Sequence, residues 1–229
     1  EDLLDVVRRR VERLGLFSHV GPITLARIDS SGEYDLRIRV VEASVNTFDG
    51  VLGIQPSNSS GGTPAILGQV SISLGNIFGS GRRLALRWSR QSGVGSRLDL
   101  RYTEPFVLNL PMDVDVGYQQ SQLDETPTLL SYVRRGLSGG ATYGVTDAFR
   151  VRLGGALDWT IPQPDSSTSC DRQVVGTRLA EATVAIAYDT RSDRTNPVSG
   201  LLYGTSYAFG SRSLTGQSEC DTIFPDIVA

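Results

Sequence analysis

From about residue 44 to residue 210, polar and apolar side chains alternate at every second position, in runs of nine or more residues broken by Gly-, Pro-, Ser- and Asn-rich stretches. A period of two puts successive side chains on opposite faces of a β-strand, so this pattern predicts strands and excludes helices over most of the chain. Nine strands are predicted, near residues 44–54, 67–76, 82–90, 96–104, 112–120, 131–143, 149–160, 178–189 and 201–210. Strands of soluble proteins are usually nearer five or six residues. A tilted strand that crosses a bilayer needs about nine to eleven. No stretch approaches the roughly 18 apolar residues of a spanning helix, so any membrane crossing is made by strands.

The connections differ between the two ends of these strands. Residues 55–66, 91–95, 121–130 and 161–177 are polar and often long, whereas residues 76–81, 105–111 and 144–148 form shorter links, with 190–200 the exception. Long loops at one end and short turns at the other describe an outer-membrane barrel.

The two faces sharpen this expectation. Leu84, Leu86 and Trp88 oppose Arg83 and Arg87; Leu98, Leu100 and Tyr102 oppose Arg97, Asp99 and Arg101. Val114, Val116 and Tyr118 oppose Asp113 and Asp115; Phe149, Val151, Leu153, Leu157 and Trp159 oppose Arg150, Arg152 and Asp158. Six arginines and four aspartates thus share one side of four strands. Turned toward hydrocarbon, each would cost up to about 2–4 kcal/mol near the midplane, far more in total than a domain stability of about 5–15 kcal/mol can absorb. They are expected to line a polar lumen and to pair across strands. Alternation alone fits a soluble barrel with its apolar face inward equally well. Against that stand two aromatic groups, Trp88, Tyr118 and Trp159 toward the loop ends and Tyr102, Phe106, Tyr143, Phe149 and Tyr188 toward the turn ends, as in the interfacial belts of membrane proteins. Arg134 and Arg135 are adjacent, so one of them must leave the lumen and snorkel from the rim.

The first 43 residues are of another kind. Leu3, Val7, Val11 and Leu14, with acidic residues at the start, arginines after them and a Gly15 stop, predict an amphipathic helix. A hairpin follows, with strands at 23–28 and 33–40 around the turn at 29–32, and the face of Tyr34, Leu36, Ile38 and Val40 is expected to cover the helix. The organisation is therefore a small α+β piece over 1–43 and a β-barrel segment over 44–229.

Composition removes most enzyme classes. His19 is the one histidine, a surface or capping residue by position, and there is one methionine beside two cysteines, too few groups for a zinc cage or a Ser-His-Asp triad. No G-x-S-x-G occurs. Every basic residue is arginine, and 22 basic against 25 acidic residues give a net charge of −3, which does not suggest nucleic acid. Asp189, Asp193 and Asn196 lack calcium-loop spacing and read as a solvated turn held by Arg191 or Arg194. Asn58-Ser59-Ser60 fits an N-glycosylation pattern that carries little weight in bacteria. Cys170 and Cys220 fall in loops on the same outward side, compatible with a disulfide in an oxidising compartment. No signal peptide is visible, so any secretion signal was removed or lies upstream.

Three motifs in order resemble the barrel signatures of the BamA/TamA-type outer-membrane assembly factors of the bacterial surface-antigen superfamily. They are Asn76-Ile77-Phe78-Gly79-Ser80-Gly81 followed by Arg82-Arg83, then Tyr102-Thr103-Glu104-Pro105-Phe106, and the run from Tyr188 through Asp189-Thr190-Arg191 to Asn196-Pro197-Val198-Ser199-Gly200. The N-terminal piece over residues 1–43, with Leu14 to Val20 between helix and hairpin, is similar to the second half of a POTRA domain. The family's later loop motif is absent, echoed only superficially by Val133-Arg134-Arg135-Gly136-Leu137. The resemblance implies a sixteen-strand barrel of which nine strands are readable, hence a fragment, with the POTRA piece in the periplasm. It also implies insertion of other β-barrel proteins without cofactor or covalent chemistry. The first barrel strand, Thr47, Phe48, Asp49, Gly50, Val51, Leu52, Gly53 and Ile54, would pair with client strands at a weak seam. Unfolded outer-membrane proteins, outer-membrane lipid and accessory lipoproteins are the implied partners. A secretion channel or porin, and a barrel anchor of a membrane-bound hydrolase, are the alternative readings.

Overall fold

A computed structural model describes residues 4, 7–8, 11–12, 15–27, 34–56, 64–92, 95–123, 131–163, 176–192 and 196–215. Two strands, β1 (Phe17–Arg27) and β2 (Tyr34–Glu42), form a hairpin. Nine more form one antiparallel sheet in chain order: β3 (Thr47–Gln55), β4 (Ala65–Ile77), β5 (Arg82–Gln91), β6 (Gly95–Glu104), β7 (Met112–Leu123), β8 (Tyr132–Gly144), β9 (Phe149–Pro162), β10 (Gly176–Asp189) and β11 (Leu202–Thr215). All nine expected strands are present, with ends shifted by a few residues. β3 and β11 are the two edges and do not pair with each other.

The register carries the sequence alternation across the sheet. One row reads Phe48, Ile72, Leu86, Leu100, Tyr118, Leu137 and Leu157; the row beside it, on the other face, reads Asp49, Ser71, Arg87, Asp99, Gln119, Gly136 and Asp158. A one-residue slip anywhere would put charge on the apolar face, which is why the pattern specifies register so strongly.

The exposed surface is 16579 Å², where a compact protein of this mass would show roughly 10,000 Å². Among the described apolar residues only Val20 and Val133 are buried. Among the described residues there is no conventional core, because the nine strands form a single layer. On β7 the apolar Val116 is 56% exposed while the neighbouring Asp115 is 8% exposed, the reverse of a water-soluble fold.

The turn at residues 76–81 shows how the first motif works. Asn76, Phe78, Gly79 and Gly81 all take left-handed backbone angles, with φ of 54°, 56°, 70° and 75°. The Gly81 amide donates to Asn76 Oδ1 at 2.9 Å, and Ser80 Oγ donates to the Ile77 carbonyl at 2.6 Å. Asparagine tolerates this conformation and glycine has no Cβ to oppose it. The connection to the hairpin docks on the same strand end: the Gly75 amide donates to Asn46 Oδ1 at 3.0 Å, and a Cβ at Gly75 would lie 2.8 Å from Val45 Cβ.

Three expectations are corrected. β1 begins at Phe17, not near residue 23, because bulges between Phe17 and His19 and between Val20 and Ile23 break the period while backbone pairing with β2 continues. Tyr34, Leu36 and Val40 are 60%, 48% and 37% exposed, so that face of β2 stands open rather than covered. Tyr118 lies at mid-strand, opposite Leu100 and Leu137, because β7 runs on to Leu123. The hairpin turn expected at residues 29–32 and part of the helix lie outside the described residues; Leu4, Val7, Arg8, Val11 and Glu12 are helical, with Arg8 and Glu12 3.6 Å apart.

Candidate functional site: a free strand edge and a charged face

Among the described residues β3 pairs with β4 alone, and along its other edge its backbone donors and acceptors have no strand partner there. Every residue from Thr47 to Ile54 is exposed, Phe48 at 75% and Ile54 at 76%. Two of its residues carry no side chain. A Cβ at Gly53 would meet nothing within 4 Å, and one at Gly50 would sit 3.2 Å from the Gln69 carbonyl oxygen. Glycine lowers the intrinsic stability of a strand and leaves the backbone accessible to another chain. The eight positions expected to pair with clients thus form one continuous, exposed edge.

The ten charged residues predicted to share a face do so. Arg152 holds Asp115 with both guanidinium nitrogens, the second contact at 2.9 Å, and also donates to Thr142 Oγ1 at 3.2 Å. Arg134 reaches Asp158 at 3.1 Å, Arg97 reaches Asp99 at 2.8 Å, and Arg83 lies 3.6 Å from Asp113. Arg150 lies 3.9 Å from Asp189, which Arg191 holds at 2.9 Å; Asp189 is the last residue of β10 and its side chain is only 10% exposed, so it is a held strand-end carboxylate and not part of a solvated turn, while Asp193 and Arg194 lie outside the described residues. Arg87 and Arg101 share the face without an ion pair to any described residue.

Sequence reasoning missed what makes the longest bridges possible. Asp115 is on β7 and Arg152 on β9, two strands apart, and the strand between them offers Gly140, where a Cβ would come 2.6 Å from Arg152 Nη2. Gln119 Nε2 likewise donates to Asp158 Oδ1 at 3.0 Å across Gly136, where a Cβ would come 2.9 Å from Gln119 Cγ and Nε2. The signal was available: Gly136 and Gly140 fall on the polar phase of β8, where a two-residue period demands small spacers if charges on the flanking strands are to meet.

Register also settles the Arg134-Arg135 pair. Arg134 joins the charged face and Arg135 stands on the apolar one, opposite Trp159. The apolar face carries three other arginines that the sequence reading did not assign: Arg82, Arg90 and Arg178. Arg82 is bonded to Glu104 at 2.9 Å, and Glu104 also accepts from the Tyr102 hydroxyl, at the turn end. Cys170 and Cys220, with their suggested disulfide, lie outside the described residues. His19 is exposed on β1.

A family model described as the Omp85 superfamily domain matches residues 76–223. Among solved structures, the chain is similar to the crystal structure of BamA from Haemophilus ducreyi lacking POTRA domains 1–3, with a TM-score of 0.59 and 15% sequence identity. That match covers 90% of this chain and 42% of the other, so this chain spans less than half the length of that relative. Among curated proteins, none matches.

Proposed function

The chain belongs to the Omp85 superfamily, and on that premise we propose that it is part of an outer-membrane factor that inserts other β-barrel proteins by templating their strands on β3. The observation that carries this reading is the family match over residues 76–223; β3, the first strand of the sheet and exposed along its length, is the strand assigned the templating here. An incoming strand would satisfy its backbone groups on that edge, gaining a ladder of hydrogen bonds in a medium where unpaired groups are costly. The step needs no covalent chemistry and no cofactor. The charged face looks into a water-filled lumen and the apolar face meets lipid, which accounts for a buried Asp115 beside an exposed Val116.

The helical residues and the β1–β2 hairpin are the end of a POTRA module in the periplasm, joined at the turn end of β3 through Val45 and Asn46. Unfolded outer-membrane proteins are the clients, and accessory lipoproteins would dock on the periplasmic side. The reading is tested with single cysteines at positions 47–54 of the full-length parent and a client stalled during assembly. Disulfide trapping to one client strand is expected at alternate positions, since facing side chains recur every second residue. Normal client insertion with no position-dependent trapping on β3 would sink it.

A further inference from the structure

The loop end of the apolar face carries cations that the proposed insertion mechanism does not use. Arg135, Trp159 and Arg178 stand in one row across β8, β9 and β10, each directly opposite the next. Both arginines are exposed, and the Arg178 guanidinium lies 6.0 Å from the centre of the Trp159 ring. Adjacent strands are about 4.8 Å apart, so the two arginines rise about 10 Å from each other, within joint reach of one headgroup. Among the described residues the only carboxylate on this face is Glu104, which is held by Arg82 at the opposite, turn end. Counted over the described residues, the face is therefore neutral at its turn end and unbalanced toward positive charge at its loop end, where Arg90 adds a third exposed cation.

A second feature lies directly beneath this row. An open hollow of about 770 Å³ is floored by the backbone of β8 to β11 and walled by Leu137, Leu157, Ala180, Ala182 and Phe209. On each strand the outward residues flank an inward one, Leu137 and Gly139 around Ser138 and Leu157 and Gly155 around Ala156, so the hollow opens on the apolar side. Its nearest wall residues, Leu137, Leu157 and Ala180, follow the Arg-Trp-Arg row by two positions, about 7 Å.

We infer that this patch is a binding site for one phosphate-bearing anionic lipid of the loop-side leaflet, whose phosphate is clamped by Arg135 and Arg178 and whose acyl chain fills the hollow. Arginine is suited to the headgroup because its planar fork binds phosphate oxygens in pairs. Trp159 holds the interface level and steadies Arg178 through its ring face. The cost of arginine on a lipid-facing surface falls away toward the interface, which is where both stand. The inference rests on the outward orientation of the apolar face proposed above.

The test uses the full-length parent protein in phosphatidylcholine nanodiscs doped with bisphosphorylated lipid A, its dephosphorylated form, or neither, with inorganic phosphate as a further competitor. Native mass spectrometry after mild delipidation reads the lipid retained. Wild type is expected to retain bisphosphorylated lipid A over the dephosphorylated form. Arg135→Gln with Arg178→Gln should retain about tenfold less or lower still, since one charge-assisted contact is worth about that much, and the double Lys variant should keep an intermediate share. Ala182→Leu, which fills the hollow and leaves the charges, should weaken retention without abolishing phosphate selectivity. Equal retention of both lipids by wild type, no loss in the double Gln variant, or displacement by inorganic phosphate alone would overturn the site. Brominated acyl chains reporting on labels at Val116 and Leu153 separate the two ideas: contact without retention refutes this site only, and no contact refutes the orientation itself.

Discussion

Across β7, β8 and β9, the row of Gln119, Gly136 and Asp158 is bridged by a 3.0 Å hydrogen bond that passes over the middle strand. Across β3, β4 and β5, the equivalent row is Asp49, Ser71 and Arg87, with opposite charges at its ends and no ion pair among the described residues. The ends of the second row attract more strongly than those of the first. The difference lies in the spacer. A missing Cβ leaves a channel through which side chains two strands apart touch closely; over β6, where Thr103 stands opposite Arg83, Arg83 and Asp113 come only within 3.6 Å, and with Ser71 in place Asp49 and Arg87 form no ion pair. The β7–β9 region is consequently tied together by side chains over three strands, while the row across β3, β4 and β5 has no such tie among the described residues.

The largest way to break this contrast is at the strongest bridge. Replacing Arg152 by Leu leaves Asp115, 8% exposed, without its bidentate partner. The expected loss is about 2–3 kcal/mol, the cost of stranding a charged acceptor, read as a shift in the urea midpoint of the parent in lipid vesicles. Adding Asp115→Asn should return part of it. A loss below about 0.5 kcal/mol, the range of an ordinary surface change, would mean that the bridge does not hold the middle of the sheet.

Glycine exchanges come next, and they should differ in sign between the two regions. At Gly140 a new Cβ meets Arg152 Nη2 at 2.6 Å and the Leu153 carbonyl oxygen at 2.9 Å, and that backbone cannot step aside. Gly140→Ala is expected to cost about 1–3 kcal/mol, as overpacking does. At Gly53 nothing lies within 4 Å, so Gly53→Ala should stabilise the strand by about 0.5 kcal/mol. If strand exchange at β3 is the protein's work, that small gain should come with slower client insertion. Equal effects at both glycines in the same unfolding experiment would erase the distinction between the regions.

Much of this was legible beforehand, for a physical reason. Polar-apolar alternation is written once per residue, so nine strands, their order and the shared face of the ten charges follow from period and turn composition. What depends on residues two strands apart leaves no periodic trace. Gly136 and Gly140 read as weak points in a strand until their neighbours are placed beside them. Arg178 reads as one more polar residue until register sets it beside Trp159 on the apolar side. The start of β1 was hidden because its bulges spoil the period without ending the pairing. A role for β3 in pairing with clients came from resemblance alone, since an edge strand and a central one share the same alternation.

The smallest effect is also the most direct test of the spacer argument. Ser71→Gly opens on β4 the kind of channel that Gly136 provides on β8, and Asp49 and Arg87 then face each other across it. Total stability should change little, because a new exposed pair worth about 0.5 kcal/mol is offset by the cost of glycine within a strand. The informative quantity is the coupling between Asp49 and Arg87 from a double-mutant cycle, measured with Ser71 in place and again in the Ser71→Gly background. Coupling near zero with serine and about 0.5 kcal/mol with glycine is expected, and it should shrink in high salt because both groups face water. Coupling already present with serine would show that the two ends find each other around the side chain, and spacer size would no longer explain why the row across β3, β4 and β5 is unbridged.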